Sequence, residues 1–522
     1  MSDKLTQEKE LLREIATRPP IGRAIGYFKL SGPGLLQTGM TLGAGSAAAS
    51  VIAGASFGYK LLWVQPVAMF LGIMMFMALS NIVLTVRERP YWSFMREARK
   101  IWGPLVILIF LWGFGSVMAS VIWHFPQYGL AAGAVRSIVQ EFAPGAELQT
   151  NVYEHDAEGN VVIGADGNPV VTARPFTGLC YIVSFVAGLT ILLINLMVVF
   201  NYGRGGIGIK IYEWFMRGII ALVFLTFMFV VAINIHKIDW LEMLKGFIGW
   251  YGIPHHEDPM EYAKTLTLVL GMVGASVGIN MTFMYPYTQL KKGWGPEHKT
   301  LAKWDLGLTM FLPFVVITSL VMVGMTVSGI YDIDNVRGMK DMVNTAISPT
   351  AAAGALQTEL ISQRVATIIF CAGLIGMACG AIAAHMTCCG FVLNEMLGLE
   401  PSTWRFRLFA MTPAIGIFGV VFQLPLWFPV VASAIAFTML PVAYLIFFIL
   451  NNRRSYIGDA VGKGLKRIVF NTLLGLALLM AVVGASAQIK TRVIDRIFPP
   501  QVQQVVEVVP ADDTQIERTL KL

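Results

Sequence analysis

The chain is 522 residues long, 56% hydrophobic and only 14% charged, with a formal net charge of +7. Soluble domains carry about 25% charged residues, so the composition excludes a soluble globular protein and places the chain in a lipid bilayer. The basic excess is not a nucleic-acid signal, because it sits in short loops between apolar runs, where it reports orientation.

In chain order, residues 1–30 are a charged, amphipathic N-terminal segment with no cleavable signal pattern. Apolar runs of about 20 residues, enough for a helix to cross hydrocarbon, then define eleven spans near 32–57, 61–86, 102–126, 176–201, 212–235, 264–289, 306–330, 365–394, 405–423, 426–450 and 468–488. The expected class is an all-α integral membrane protein whose transmembrane domain covers residues 31–488.

The first span holds residues that keep a helix continuous poorly. Gly39, Gly43, Gly45 and Ser46 stand where membrane helices carry Leu, Ile or Val, and glycine in a helix interior costs about 0.8–1 kcal/mol relative to alanine. Opened backbone is tolerated in hydrocarbon only against protein or a water-filled cavity, so the segment reads as a broken helix lining a solute site. Span six repeats the pattern in Gly271-Met-Val-Gly-Ala-Ser-Val-Gly-Ile-Asn280. Either stretch alone fits a small-residue packing face. Two of them in corresponding positions point to the binding site of a transporter built from inverted repeats. The expected substrate contacts are Gly43, Ala44, Gly45, Ser46, Ala275, Gly278, Asn280 and Met281. Gln37, Thr38, Thr41, Thr282 and Tyr285, polar residues on the same two spans, are expected to line the pathway.

Basic loops set the orientation. Lys4, Lys9, Arg13, Arg18 and Arg23 precede span one; Arg87, Arg89, Arg96, Arg99 and Lys100 follow span two. Lys291, Lys292, Lys299 and Lys303 follow span six, and Arg453, Arg454, Lys463, Lys466 and Arg467 follow span ten. All share one side if the N-terminus is cytoplasmic. Eleven spans then leave the tail, 489–522, external, and the expected location is a bacterial inner membrane. The polar insert 143–173 carries turn signals between short Val/Ile runs and is expected to form an external β-hairpin.

Other candidates read as structure. The five cysteines, Cys180, Cys371, Cys379, Cys388 and Cys389, all lie in apolar stretches, so no disulfide framework is expected. His385 with Cys388 and Cys389 could form a soft-metal cluster, but small cysteines packing like alanine is the preferred reading. His255-His-Glu-Asp258 reads as a solvated loop, and Met69, Met74, Met75 and Met77 as ordinary helix surface.

Gly32-Pro33-Gly34 and Gly58-Tyr59-Lys60-Leu61-Leu62-Trp63-Val64, with the broken stretch between them, resemble the Nramp family of proton-coupled divalent-metal transporters. The resemblance continues faintly through Leu440-Pro441 and Arg453-Arg454. It implies a LeuT-like fold in which residues of about 31–235 and 263–450 form two inverted five-helix repeats, helices 1 and 6 are broken, and an eleventh helix is appended at 468–488. The chemistry departs from the family. Its Asp-Pro-Gly-Asn falls on Gly43-Ala44-Gly45-Ser46, its span-six methionine on Gly278 and its histidine on Asn280. Met281 could restore one sulfur in a shifted register; nothing restores the carboxylate.

A dehydrated divalent ion at the bilayer midplane needs strong or anionic ligands. Backbone carbonyls and one serine hydroxyl suit a neutral or weakly charged solute better. The family's proton carriers are missing too, and Leu111–Ser120 in span three holds no acid, so coupling to another ion, or to none, is open. The expected function is a secondary transporter of a small solute by alternating access. One alternative is a divalent-cation transporter, Mg²⁺- or Mn²⁺-like, and another is a non-transporting receptor on a transporter scaffold. No cofactor, covalent chemistry or nucleic-acid partner is expected; the partners are the lipid bilayer and a small-molecule or ion substrate, with a monomer plausible.

Overall fold

A helix interrupted by glycine must find partners for its freed backbone groups, and the first membrane segment arranges its neighbours accordingly. The computed structural model describes residues 2–150, 152–153, 161–162, 171–173, 175–202, 206–255, 259–327, 362–399, 402–422 and 427–490. After α1 (Ser2–Thr17) and α2 (Pro20–Leu30), α3 (Pro33–Thr41) and α4 (Ala44–Phe57) form one segment bent by 54° at Leu42–Gly43. Next come α5 (Val64–Val86), α6 (Pro90–Ile101) and α7 (Leu105–Phe142). Within the insert, β1 (Val152–Tyr153) and β2 (Val171–Ala173) pair antiparallel. The chain continues through α8 (Gly178–Tyr202), α9 (Gly206–Ile233), α10 (Trp240–Phe247), α11 (Pro259–Ser276) and α12 (Ile279–Lys291). α13 (Lys299–Asp305) passes through a π-helical turn, Leu306–Phe311, into α14 (Leu312–Val327). The remaining helices are α15 (Gln363–Met396), α16 (Thr403–Ala410), α17 (Trp427–Phe437), α18 (Leu440–Asn451), α19 (Arg454–Ile457) and α20 (Gly464–Ile489).

Among the described residues, nine helices are long and apolar enough to cross a membrane, and the bent α3–α4 pair makes ten. The segment expected as span nine is α16 followed by a 3₁₀ helix, Thr412–Val420. Gly416 and Gly419 explain the tighter winding. A Cβ on Gly416 would come within 2.2 Å of His124 Cβ, and one on Gly419 within 2.1 Å of the Phe125 carbonyl oxygen. Residues three apart eclipse one another in a 3₁₀ helix, so the two glycines share the face pressed on α7. α7 itself runs 16 residues past the expected end at 126, through Pro126. Its extension is anchored by Arg136, which donates to Ser184 Oγ at 2.8 Å and lies 4.6 Å above the Phe176 ring.

The helices form an inner and an outer layer. The α11–α12 span is 89% buried by protein, whereas α9 and α20 are 28% buried and present the rest to lipid. Every residue from Pro33 to Phe57 is buried. Lipid is as apolar as a leucine side chain, so close packing and internal hydrogen bonds hold such a bundle together. Gly54, where a Cβ would lie 2.4 Å from the Met322 carbonyl oxygen, lets α4 touch the α14 backbone. The tail from 491 onward, most of the insert's interior and residues 256–258 of the His255 loop lie outside the described residues.

Candidate substrate site at two interrupted helices

At the first interruption Leu42 closes α3 by donating to the Thr38 carbonyl, and Gly43 turns extended (φ −101°, ψ −169°) to start α4. The N–H of Ala44, left without an intrahelical partner, donates to Gln127 Oε1 on α7 at 2.8 Å. Ser46 turns its hydroxyl back onto the break, donating to the carbonyls of Thr41 and Gly43. Side chains are excluded on this face. A Cβ on Gly43 would sit 2.8 Å from Gln127 Nε2 and 2.9 Å from Ala381 Cβ; one on Gly45 would sit 2.5 Å from Ser433 Oγ and 3.5 Å from Ala275 Cβ. The last contact brings the two interrupted helices together.

The second interruption is milder, and its halves together count as one 30-residue span. Gly278 is extended (φ −97°, ψ 157°), and its N–H donates to Met281 Sδ at 3.2 Å. Asn280 folds back so that its Oδ1 accepts from the Met281 N–H at 3.0 Å. That bond orients the amide, and Asn280 Nδ2 donates to Ser120 Oγ at 3.1 Å and to His385 Nδ1 at 2.9 Å. The Asn280 carbonyl accepts from Cys388 Sγ at 3.2 Å, and the Ile279 carbonyl from Ser116 Oγ at 3.2 Å. Neighbouring α7 and α15 therefore hold this break.

A polar cluster surrounds Asn280 inside the bundle. The rings of His124 and His385 are 5.5 Å apart, and Tyr128 lies 5.9 Å from His124. His385 accepts on Nδ1, so its proton sits on Nε2. His124 Nδ1 donates to the Ser120 carbonyl at 3.0 Å, which leaves its Nε2 as a lone pair. Among the described residues, neither Nε2 nor the Tyr128 hydroxyl has a protein partner, and all three side chains are fully buried. An unpaired buried polar group costs about 1–3 kcal/mol, and three such groups fall in this one cluster. No three His, Cys, Asp or Glu side chains converge as metal ligands do among the described residues.

The residues expected to line the pathway divide. Thr38 donates to the Gly34 and Thr309 carbonyls, Thr41 to Thr38, and Thr282 to Ile279 while accepting from Trp112 Nε1 at 2.7 Å. Their hydroxyls are thus already satisfied within the protein. Gln37 is fully buried with both amide atoms unpaired among the described residues. Tyr285 reaches Asp305 Oδ2 at 3.4 Å.

Asp305 itself was not anticipated. Fully buried, it accepts from the N–H groups of Gly32 at 3.0 Å and Gly34 at 2.7 Å, which fastens the start of α3 to α13. Lys292, paired with Glu213 at 2.9 Å, closes the same corner. His124, Gln127 and Tyr128 were also missed. Their signal was present in the sequence as three polar residues beside a proline within an apolar run.

A broken first helix and an interrupted sixth in a layered bundle define a LeuT-fold secondary transporter. The chain superposes on a mutant of the Eremococcus coleocola manganese transporter over 95% of its own length and 91% of that chain, with TM-score 0.62 and 13% identity. MhsT in complex with L-phenylalanine matches over 87% and 98% (TM-score 0.53, 14% identity), and Mhp1, a nucleobase-cation-symport-1 family transporter, over 90% and 94% (TM-score 0.51, 13% identity). The family model for natural resistance-associated macrophage protein-like proteins matches residues 175–487, and the chain belongs to this Nramp family. The matched region contains the second interruption and begins after the first. No curated protein matches the sequence. These neighbours bear names as different as manganese, phenylalanine and a nucleobase–cation symport, so the fold alone does not assign the solute.

Proposed function

We propose that the protein moves a small neutral or zwitterionic solute by alternating access, with the interruptions at Leu42–Gly43 and Val277–Gly278 and the helix turns beside them, Ala44–Ser46, Ala275–Ser276 and Ile279–Met281, as the walls of its site. The observation that carries this reading is that, among the described residues, the side chains beside the two breaks are amides, hydroxyls, imidazoles, a thioether and a thiol, with no carboxylate, lysine or arginine. Gln127, Ser46, Asn280, His124, His385 and Tyr128 offer donors and lone pairs without charge. Asp305 is too remote to replace a metal-binding carboxylate. The nine residues of α3 separate it from the break by about 13 Å. At an effective dielectric of ~20, a divalent ion gains only about 2.5 kcal/mol from one carboxylate at that distance, against a desolvation penalty of at least several kcal/mol. An uncharged solute that donates to His124 Nε2 and accepts from His385 Nε2 meets no such penalty, and a zwitterion offsets part of it internally. The proposal includes a cytoplasmic N-terminus in a bacterial inner membrane, supported by the one-sided basic loops.

A divalent-cation reading has one observation in its favour. Two sulfurs reach the second break, Met281 Sδ accepting from the Gly278 N–H and the Cys388 thiol donating to the Asn280 carbonyl, and the Eremococcus coleocola neighbour is a manganese transporter. Thioether and thiol, however, suit soft ions rather than Mn²⁺ or Mg²⁺. Purified protein in liposomes is expected to show no saturable Mn²⁺ uptake. A thermal-shift screen across amino acids, sugars, small anions and metals should find a neutral or zwitterionic ligand whose stabilisation disappears in His124→Ala. Saturable Mn²⁺ uptake by the native protein overturns the reading.

A further inference from the structure

At the end of the bundle that carries the basic loops lies a cavity of about 290 Å³ between α5, α13, α18 and α20. Four cations line it, Lys299, Lys303, Lys466 and Arg467, and no lining residue is acidic. None of the four pairs with a carboxylate among the described residues, although Arg454 and Lys463 in the same loop both pair with Asp459. The floor is polar and ordered. Asn81 Nδ2 donates to Asn451 Oδ1 and to the Ala460 carbonyl, each at 2.9 Å, and Ser80 Oγ accepts from Gln289 Nε2 at 2.8 Å. Met77, Leu306 and Phe470 form an apolar side wall.

The positive-inside rule accounts for cations at this end of the helices. It does not account for four of them around one cavity. Lys466 and Arg467 also occupy the first turn of α20, the end of a helix where the macrodipole disfavours positive charge. An anion in the cavity reverses both penalties at once. The chemistry, charged nitrogen donors above amide and hydroxyl groups with an apolar wall beside them, is that of a phosphate-group site at a membrane boundary.

We propose that this cavity binds a phosphate group, either the headgroup of an anionic phospholipid or free phosphate. α20 faces lipid over most of its surface, so a headgroup held by Lys466 can leave its acyl chains along Phe470. Through Ser80 and Gln289 the site touches α12, the half-helix that follows the second interruption. Occupancy would therefore bear on the position of α12. The proposal is independent of which solute the transporter carries.

The test uses full-length delipidated protein in detergent, titrated with phosphatidylglycerol, phosphatidylcholine or inorganic phosphate and read by native mass spectrometry and thermal shift. Lys299→Gln with Lys466→Gln is compared with Arg454→Gln with Lys463→Gln, which removes the same charge outside the cavity. Each cation near a membrane surface contributes about 1 kcal/mol, so the cavity pair is expected to weaken phosphatidylglycerol binding about 30-fold and the control pair less than threefold. Competition by inorganic phosphate supports the shared chemistry. Binding of phosphatidylglycerol alone assigns a lipid source, and binding of inorganic phosphate alone a soluble one. Equal losses in the two variant pairs, or no preference for phosphatidylglycerol over phosphatidylcholine together with no effect of phosphate, overturn the proposal.

Discussion

Gln127 gives the sharpest test of how the first interruption is held open. Its Oε1 takes the one freed N–H of α4 that the structure pairs outside the helix, at 2.8 Å, in a fully buried setting. Gln127→Ala leaves that N–H without an acceptor, a loss of about 1–3 kcal/mol. Gly43→Ala should cost a similar amount, about 1–3 kcal/mol for overpacking, because its Cβ meets Gln127 Nε2 at 2.8 Å and Ala381 Cβ at 2.9 Å. The two losses are not independent. Removing the glutamine amide clears one of the two obstructions, so the double variant should be more stable than the sum of the singles predicts, by about 1 kcal/mol. Adding Ala381→Gly clears the second obstruction and should recover more. Gln127→Glu keeps an acceptor only by burying a carboxyl group with no cation beside it, so it should retain the stability that Gln127→Ala loses at low pH, where the carboxyl is neutral, and lose it as the pH rises. The assay is the midpoint of thermal inactivation of detergent-solubilised protein followed by size-exclusion fluorescence, at a fixed heating rate since membrane-protein unfolding is commonly irreversible. Strict additivity of Gly43→Ala and Gln127→Ala, or a Gln127→Ala protein as stable as the parent, refutes the geometry on which this reasoning rests.

Asp305→Asn keeps the shape but leaves both the Gly32 and Gly34 N–H groups without a charged acceptor and one of them without any acceptor; with about 1.5–3 kcal/mol lost per bond to a charged group, amide exchange in residues 32–41 should accelerate at least tenfold by hydrogen–deuterium exchange, and unchanged protection there counts against a latch. Gly43→Asp with Gly278→Met restores the residue types that the family resemblance implies at these positions, and with Gln127→Ala to admit the new side chain it should bind Mn²⁺ or Cd²⁺ by calorimetry where the parent does not. A folded triple variant that binds neither ion shows that the alignment of the two breaks with the family motif is displaced.

Apolar run length located the membrane segments because it is a property of each helix alone. Ten of the eleven expected positions carry long apolar helix or the bent pair. The interruption at Gly43 was legible for the same reason, since glycine and serine act on the local backbone. Span nine was not, because its 3₁₀ winding is set by the approach of Gly416 and Gly419 to α7, nearly 300 residues earlier in the chain. The true end of α7 was obscured by polar residues that a hydropathy count rejects, yet Gln127 and Tyr128 turn inward rather than outward. Asp305 illustrates the same limit. Nothing local marks it, and only the fold brings the N–H groups of Gly32 and Gly34 to it across more than 270 positions.

The distribution of these bonds ties the two halves of the first helix to different neighbours. α4 is tied to α7 through Ala44 and Gln127, and α7 also holds the second break through Ser116 and Ser120. The stretch from Trp112 to Gln127 spans about 22 Å of one helix, so α7 acts as a common rail for α4 and α12. Among the described residues, α3 has no bond of this kind to α7. Its partners are Asp305 and the Thr309 carbonyl in the π-helical turn, where the altered backbone pairing lets a carbonyl accept from Thr38. The hydrogen bonds of α3 to α13 and the π turn are thus separate from the Ala44–Gln127 and Asn280–Ser120 bonds, while α3 also packs against α9, α12 and α15. The bend lies between the two sets of bonds, at Leu42–Gly43, the residue pair whose backbone belongs to neither helix.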